Sequence, residues 1–464
     1  MRTWYTVFVG LALCGSNVAG QEVTSPPGFT PAPEGAPVPP EPKIFTTPGG
    51  PSRPNRLPFL NDLSDLQEGG SNAGAPDSTG SAPPSSTLFG DGAPPYVPTP
   101  VYPSPEPVFP YPRFWIKAEA LYWWTKASPV PAPLVTIGDP ADAIPGALGQ
   151  PGTAVLLGGK DIRLPARPGG RFTLGFTIDP EQIWGFEASY LFLGNSSVTH
   201  GVFSDGGPNS ALLAFPFFNP NIPGEDATFI ALPGGFSGTA SVTLQNFFQG
   251  AEANMMFNFR NANRIRWDLL GGFRWLNVQE QLNFTTDSPD LGTLDVFHTF
   301  DNFRTNNNFY GGQLGIRASY ENPRLFLNAT GKLALGGTVE TVQANGGTFI
   351  SNSSGTFVFP GAYLTQPTNI GTASVGQFAV VPEVDLNCGI RLSPWASIVV
   401  GYSFLYISSV ARPGDQIDRV INPTQAPAIT GSFPGLVGPA RPALGVHDTD
   451  FWVQGLNFTL QLRY

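Results

Sequence analysis

The chain ends in the stretch Phe451-Trp-Val-Gln-Gly-Leu-Asn-Phe-Thr-Leu-Gln-Leu-Arg-Tyr464. The even positions from Leu456 to Tyr464 are apolar or aromatic, and the odd positions from Gly455 to Arg463 are small or polar. Because successive side chains of a strand point to opposite faces, this stretch predicts a strand with one apolar and one polar face. A soluble sheet can use such a strand at its surface. A membrane barrel requires it, because one face must contact lipid and the other the lumen.

Nine further segments upstream show the same alternation. They are residues 113–125, 170–179, 183–193, 246–259, 264–280, 306–320, 324–338, 376–392 and 395–410. Together with the C-terminal strand they predict an all-β fold, a closed antiparallel transmembrane β-barrel of ten strands. Twelve strands result if residues 236–244 or 294–303 also pair.

The connections between these segments alternate between short and long. Four are tight turns, at residues 180–182, 261–263, 321–323 and 393–394, and the other five are much longer. A bacterial outer-membrane barrel has this layout, with short periplasmic turns and long external loops. The pattern therefore predicts that all the long loops lie at one end of the barrel.

Tryptophans lie within these segments or at their ends. The predicted topology gathers Trp184, Trp267 and Trp395 at the turn end of the barrel and Trp123, Trp124 and Trp452 at the loop end. Amphipathic indole rings are favoured at the two membrane–water interfaces. We therefore expect two aromatic girdles, which include Trp124, Trp184, Trp267, Trp395 and Trp452.

Composition narrows the class of protein. Charged residues make up only 12% of the 464 residues, and no run of eighteen apolar residues predicts a membrane-spanning helix. The net charge of −10 argues against a nucleic-acid partner, which requires a basic surface. Cys388 is the only thiol besides Cys14, so neither a disulfide framework nor a cysteine metal site is expected.

The first 112 residues differ from the rest in composition and in sequence pattern. Residues 1–20 predict an export signal peptide, with Arg2, an apolar run from Val7 to Cys14 and small residues before Gln21. Residues 21–112 are rich in proline and glycine, which disfavour helices and sheets, so they predict a disordered linker. The barrel is expected to occupy residues 113–464.

The polar face of the barrel strands carries charges of both signs. We expect the following residues to line the lumen: Lys117, Glu119, Arg171, Glu187, Glu252, Asp268, Arg274, Arg317, Lys332, Glu383, Asp385 and Arg391, with Asp179, Arg266 and Arg463 on the same face. Side chains fill the interior of small barrels, and ten strands widen it only modestly. These charges therefore form either an ion-pair network that closes the lumen or the lining of a narrow hydrophilic pore, and catalytic work by the enclosed carboxylates is a third, minor alternative.

A second polar group follows the ninth segment. Pro413 and Gly414 favour a turn, across which Arg412, Asp415, Asp418 and Arg419 can pair. This stretch predicts a mouth loop that braces itself over or in the barrel mouth; the alternative is a gate or a ligand site built from Asp415 and Asp418. The three histidines, His200, His298 and His447, have no metal-ligand spacing, so neither a metal, a cofactor nor a catalytic group is expected.

Several of these stretches resemble a family of β-barrel porins found widely in planctomycete-type bacteria. The resemblance is carried by Phe114–Trp124, Trp184–Tyr190, Leu269–Leu276, Phe309–Gly315, Val399–Tyr406 and, most specifically, Val410–Pro423. It covers the chain from about residue 113 to its end. The resemblance implies a barrel in the bacterial outer membrane and a porin-like activity.

Together these observations favour a passive channel for small hydrophilic solutes. The main alternative is a closed-lumen barrel that serves a structural or surface-interaction role through its long external loops; an outer-membrane hydrolase is a distant third. The expected partners are outer-membrane lipids and the barrel-assembly machinery, which recognises the C-terminal strand ending at Tyr464. The sequence fixes no oligomeric state.

Overall fold

A computed structural model describes residues 113–430 and 435–464, together with the backbone of residues 43–48. Its strands, in chain order, are β1 Lys43–Pro48, β2 Phe114–Thr125, β3 Pro133–Gly138, β4 Ala154–Gly158, β5 Arg167–Thr177, β6 Trp184–Ser204, β7 Leu212–Asn219, β8 Gly224–Ala231, β9 Gly238–Ala262, β10 Ile265–Pro289, β11 Val296–Glu321, β12 Leu325–Asn352, β13 Gly355–Pro360, β14 Gly371–Arg391, β15 Ala396–Ala411 and β16 Asp448–Arg463. Short helical turns at Pro413–Gln416, Pro423–Gln425 and Pro427–Thr430 lie between β15 and β16. No helix in the described part of the chain is long and apolar enough to cross a membrane.

Ten of these strands form a closed antiparallel ring, which confirms the predicted barrel. Hydrogen-bonded neighbours run in the order β2, β5, β6, β9, β10, β11, β12, β14, β15 and β16, and β16 pairs with β2. At this closing seam Leu456 lies opposite Tyr122 and Arg463 opposite Trp115. The two segments that would have given twelve strands fall mostly within β9 and β11, so the count stays at ten.

The connections agree with the predicted topology, with one exception. The turns β5–β6, β9–β10, β11–β12 and β14–β15 are all short. At the opposite end, however, β10 and β11 are joined by residues 290–295 alone. The long loop predicted there is wrong, because both strands continue in register, with Pro289 opposite Val296.

The strands β6, β9, β10, β11 and β12 extend beyond the band of apolar residues on the outer surface of the barrel. Above this apolar band their polar residues face outward and their apolar residues face inward. Within the apolar band, the outward residues Tyr310, Leu314 and Ile316 of β11 are apolar or aromatic and exposed. Farther up the same face Asn308, Asn306, Arg304 and Asn302 follow in succession, and all four are polar. On the inner face of this upper part Phe303 and Phe309 are almost completely buried. The upper wall therefore meets water on its outside and an apolar core on its inside.

The apolar core inside the upper wall is completed by a second sheet. Its strand order is β4-β3-β7-β8, and it is built from the connections 126–166 and 205–237, which we call the cap. Phe215 of β7 is fully buried, with its ring centroid 4.8 Å from that of Tyr363 and 6.2 Å from that of Phe284 on β10. Burial of each such side chain contributes about 1.5–3 kcal/mol. The cap thus packs into the barrel mouth.

A buried carboxylate fixes the connection between β13 and β14 against this core. Asp301 on β11 accepts hydrogen bonds from the backbone N–H groups of Leu364 at 3.0 Å and Thr365 at 2.7 Å, and from the Thr365 hydroxyl at 2.6 Å. It lies above the apolar band, because its outward neighbour is Asn302. Burial outweighs these hydrogen bonds and raises the pKa of Asp301 to about 6.

Of the two predicted N-terminal segments, the structure describes only six residues. Residues 43–48 form β1, antiparallel to β6, with Lys43 opposite Phe203 and Pro48 opposite Val198. These six residues depart from the expectation of a linker without secondary structure. The predicted signal peptide and the remainder of residues 21–112 lie outside the described residues.

The apolar band predicts a depth-dependent response to charge. Leu314→Arg places a cation on the lipid-facing band, and we expect it to lower the unfolding free energy by about 2–4 kcal/mol. Asn302→Arg, on the same face of the same strand but above the band, should change it by less than about 1 kcal/mol. Denaturant titration of the barrel refolded in lipid vesicles measures both. Equal effects of the two variants would contradict the assignment of the band.

The raised pKa of Asp301 predicts a pH-dependent contribution to stability. Because the folded state holds this proton more tightly than the unfolded chain, whose ordinary value is 3.8, the stabilisation is complete below about pH 4 and is lost as pH rises through about 6. The unfolding free energy of the wild type relative to Asp301→Asn should therefore fall by on the order of 1–3 kcal/mol between pH 4 and pH 7. Asp161→Asn, which removes an exposed carboxylate of the cap, is the control. A wild-type-to-Asp301→Asn difference that is constant with pH would refute this account.

Candidate functional site

The charged residues predicted for the lumen occupy inward-facing strand positions, where alternation with the lipid-facing side chains places them. This holds for all twelve of the main set and for Arg266 and Arg463. Asp179 is the exception. It lies in the turn between β5 and β6, where its carboxylate accepts hydrogen bonds from the N–H groups of Ile183 and Trp184. The prediction that Asp179 faces the lumen is therefore wrong.

Seven of the lumen charges form one connected network. Arg171 lies 2.8 Å from Glu119, 3.2 Å from Asp385 and 3.6 Å from Glu383. Lys332 lies 2.7 Å from Glu252, 3.5 Å from Glu383 and 3.8 Å from Asp385. Arg274 pairs with both Glu252 and Glu383. The network crosses the lumen, because these residues come from β2, β5, β9, β10, β12 and β14.

A smaller group lies beside it. Glu187 on β6 is 2.7 Å from Arg317 on β11 and 3.4 Å from Lys117 on β2. It also accepts a hydrogen bond from the Trp115 indole at 3.2 Å. Trp115 therefore faces the lumen and has a polar partner there.

The two groups together are electrically balanced. The network of seven contains three cations and four carboxylates, and the group of three contains two cations and one carboxylate, so five charges of each sign meet. These ten charges together have no net charge with which to prefer anions or cations. The arrangement instead neutralises each buried charge, which otherwise would be costly.

Below the network the lumen contains a polar cavity. Its volume is about 150 Å³, and its lining extends from Lys117 and Arg317 to Glu321 and Arg463 at the turn end. Two further ion pairs lie at this end: Arg391–Glu321 at 2.5 Å, and Arg266–Asp268 at 2.8 Å. Of the predicted lumen residues, Asp268 and Arg391 are therefore separate from the central network.

Above the network the lumen is filled by apolar side chains, which we call the apolar layer. Trp123, Leu193, Phe248, Phe309 and Phe451 are exposed by at most 1%. They come from five different strands and pack with the other members of the layer, Leu121, Leu191, Leu276, Val278, Ala334, Ala379, Val381, Leu405, Ile407, Val410 and Val453. Trp123 was expected in the outer girdle, and this is wrong: its indole points inward and donates to Asn457 at 2.7 Å.

The other five girdle tryptophans occupy the outer surface. Trp184 and Trp395 are 44% and 62% exposed at the turn end, where Trp267 also lies. Trp124 and Trp452 occupy outward-facing positions of β2 and β16 near the loop end.

The mouth loop enters the barrel above the apolar layer. The guanidinium of Arg412 is completely buried, pairs with Glu280 on β10 through both Nε and Nη2, and donates to the Ala127 carbonyl at 3.2 Å. Its Cζ lies 5.2 Å from the centre of the Phe451 ring. The contact ties β10, the mouth loop and the first residues of the cap connection together.

The charged residues of the mouth loop do not pair with one another. Arg419 binds Glu225 of β8 through two hydrogen bonds of 2.6 and 2.9 Å, and Asp418 lies 2.7 Å from Arg441. Asp415 makes no ion pair among the described residues. The loop is therefore braced by partners elsewhere, and the expectation of pairs across its own turn is wrong. In the described part of the chain no group of three or more His, Cys, Asp or Glu residues is arranged to hold a metal ion.

Glu280 is a residue of this site that the sequence analysis left out. It follows Arg266, Asp268 and Arg274 in the same even phase of β10, so the alternation already placed it inward. The signal was obscured because the next inward residues, Leu282 and Phe284, are apolar and their outward neighbours are polar.

The buried Arg412–Glu280 pair predicts a double-mutant signature. Arg412→Met alone leaves the Glu280 carboxylate buried without its cation and should lower the unfolding free energy by about 3–5 kcal/mol. Arg412→Met combined with Glu280→Leu should be less destabilising than the single change. The half-exposed pair Lys126–Asp450 supplies the control, since Lys126→Met should cost about 1 kcal/mol or less. Additive effects of the two core changes would contradict direct coupling.

Comparison with known structures gives only weak likenesses. The outer membrane protease OmpT from Escherichia coli aligns with a TM-score of 0.38 at 9% identity, over 76% of this chain and 96% of that one. A Pseudomonas aeruginosa FadL homologue aligns with a TM-score of 0.20 at 10% identity, over 76% and 90%. The P. putida toluene transporter TodX aligns with a TM-score of 0.20 at 8% identity, over 77% and 91%.

Comparison of sequences is more informative for the family. No curated protein matches the chain. The model of one family, described as "Putative beta barrel porin-7 (BBP7)", matches residues 115–464, which is well over half of the chain and includes every strand of the ring. This agrees with the resemblance found in the sequence. The chain belongs to the beta barrel porin-7 family.

Proposed function

We propose that the protein is a closed-lumen barrel of the bacterial outer membrane that holds the cap at the cell surface. The observation that carries the proposal is the apolar layer, in which side chains from strands on all sides of the ring meet above the balanced network. The buried Arg412–Glu280 pair and the core of the cap lie above it. Three successive barriers therefore separate the polar cavity from the loop end.

The apolar layer is the strongest of these barriers to a hydrophilic solute. A solute entering it loses hydration and finds no hydrogen-bonding partner, which costs several kcal/mol for a neutral polar group and far more for an ion. Hydrophobic constrictions close channels by the same effect. In this conformation passive passage through the lumen is therefore disfavoured.

A passive channel for small hydrophilic solutes is the second candidate. It is favoured by membership of a family described as porins and by the polar cavity of about 150 Å³ at the turn end. It requires the apolar layer and the mouth loop to move aside. Arg412, which has its partner on β10, is the contact that such a movement must break first.

The proposal includes the surroundings of the barrel. Outer-membrane lipids contact the apolar band, and the barrel-assembly machinery recognises the C-terminal strand that ends at Tyr464. We assign no catalytic role and no cofactor. The cap, anchored on five extended strands, is the part that would make contacts outside the cell.

Planar-bilayer recording of the purified full-length protein tests the proposal. We expect no stepwise conductance in potassium chloride at ±100 mV, whereas an open porin inserted by the same procedure should give discrete steps. Replacing Phe248, Phe309 and Phe451 by serine should introduce conductance, because water can then enter the apolar layer.

Discrete steps from the wild-type protein would overturn the closed-lumen proposal. In that case Glu187→Lys decides whether the current passes through the lumen. The substitution adds two positive charges to the balanced group, so it should shift the reversal potential in a salt gradient toward anion selectivity. That result would establish the channel instead.

A further inference from the structure

The outer wall above the aromatic girdle carries an ordered array of carboxamides. Counted away from the membrane, the outward residues on neighbouring strands lie directly opposite one another in rungs. The first rung is Tyr190, Ala251, Trp275 and Tyr310; the second is Phe192, Gln249, Asn277 and Asn308; the third is Phe247, Gln279 and Asn306; the fourth is Ser197, Gln245, Gln281 and Arg304. The second to fourth rungs, which Gln343 of β12 extends opposite Arg304, form what we call the carboxamide face.

The charge of this face sets it apart from the rest of the chain. It contains eight carboxamides and one cation, Arg304, but no acidic residue, although the chain has 34 Asp and Glu and only 24 Lys and Arg. A face that is merely solvated would be expected to share the acidic balance of the protein. This one is compatible with a negatively charged neighbour.

The lower carboxamides hold one another in fixed orientations. Asn277 donates to Asn306 at 2.7 Å and to Asn308 at 3.0 Å, and it accepts from Gln279 at 2.9 Å. Gln249 accepts from the Tyr190 hydroxyl at 2.7 Å. These bonds connect the carboxamide face to the first rung beneath it.

The upper part of the face contains a groove with free donors and acceptors. Gly194 and Asn195 form a β-bulge in β6, and beside it lies a groove of about 380 Å³. Its lining includes Gln245, Gln279, Gln281 and Arg304, and also Glu280, whose side chain is buried on the inner side of β10 and paired with Arg412. Neither Gln245 nor Gln281 has a side-chain hydrogen-bond partner among the described residues. Their amide groups are available to a ligand, and the volume lies within the range of small-molecule sites.

The position of the groove fixes which ligands reach it. Trp275 and Tyr310 belong to the first rung and mark the boundary of the apolar band at the loop end, where amphipathic rings are favoured. The groove lies three rungs above them, which is about 20 Å along the strands at about 3.4 Å per residue and, because the strands are tilted, roughly 15 Å along the membrane normal. That is the level of lipid headgroups and of sugars attached to them.

We propose that the carboxamide face binds the phosphorylated saccharide headgroup of a glycolipid in the outer leaflet. Each carboxamide offers both donors and an acceptor, which matches the paired donor and acceptor character of sugar hydroxyls. Arg304 supplies a charge-assisted hydrogen bond to a phosphate, and no outward-facing residue of the carboxamide face carries a carboxylate that would repel that group. The inference is independent of whether the lumen conducts.

Native mass spectrometry of the full-length protein released from nanodiscs tests this inference. The nanodiscs contain phosphatidylcholine with equal amounts of phosphatidylglycerol and a bis-phosphorylated diglucosamine glycolipid. We expect the protein to retain the glycolipid about tenfold over phosphatidylglycerol, and Gln281→Glu to reduce its retention about tenfold, because the new charge faces the phosphate.

Two further measurements separate the contributions of sugar and phosphate. Arg304→Gln should abolish the preference for the phosphorylated over the dephosphorylated glycolipid while some glycolipid is still retained. Asn302→Glu, which adds the same charge on β11 one rung above the groove, is the matched control and should retain at least half of the wild-type amount. Equal retention of phosphatidylglycerol would show a site for any anionic headgroup and would overturn the proposal, as would equal loss in both glutamate variants.

Discussion

Successive side chains of a β-strand point to opposite faces, and every level of this molecule depends on that alternation. Near the turn end it places Leu314 in lipid and Arg317 in the lumen; higher on the same strand it places Arg304 in water and Phe303 in the cap core. The pairing register of β10 and β11 is continuous through both regions, so the direction of each side chain follows one rule throughout. What differs is the environment of each face: lipid outside and polar groups inside at the base, water outside and an apolar core inside at the top. One sheet is thus a membrane barrel at its base and the wall of a water-exposed domain at its top.

The interior of the barrel is filled differently at the two levels, because the polar and apolar faces of the strands are reversed between them. Ten mutually compensating charges fill the lumen where the outside is lipid, and such pairs contribute little net stability because each ion loses its hydration. The apolar layer and the cap core contribute more to stability, because large side chains such as Phe248 and Phe215 are fully buried there. The ion pairs then fix the arrangement of the strands, since a shifted register would leave a charge unpaired.

The sequence predicted the ring because period-two alternation is a local property. It also placed the charged residues from Lys117 to Arg391 in the inward phase of their strands, but it wrongly added Asp179 and left out Glu280. It did not predict that β10 continues to Pro289 or that β11 begins at Val296. The reason is that the apolar phase of β10 inverts between Trp275 and Leu276, which resembles the end of a strand. Local sequence patterns did not predict the cap, because its core depends on contacts between distant residues. One example is the contact of Phe215 with Tyr363, 148 residues away. For the same reason the partners of Arg412 and Arg419 were not foreseen.

Cysteine scanning along β11 tests the central claim, the inversion of the wall, most directly. In a background in which both Cys14 and Cys388 are replaced by alanine, single cysteines at positions 302 to 320 are probed in vesicles with a water-soluble maleimide and with a lipid-phase quencher. The account predicts that even positions from 310 upward in number are quenched by lipid, even positions from 302 to 306 react with the maleimide, and Phe303, Thr305 and Phe309 respond to neither. Rapid aqueous labelling at those three inward positions would contradict it, because the upper interior would then contain water rather than a packed core.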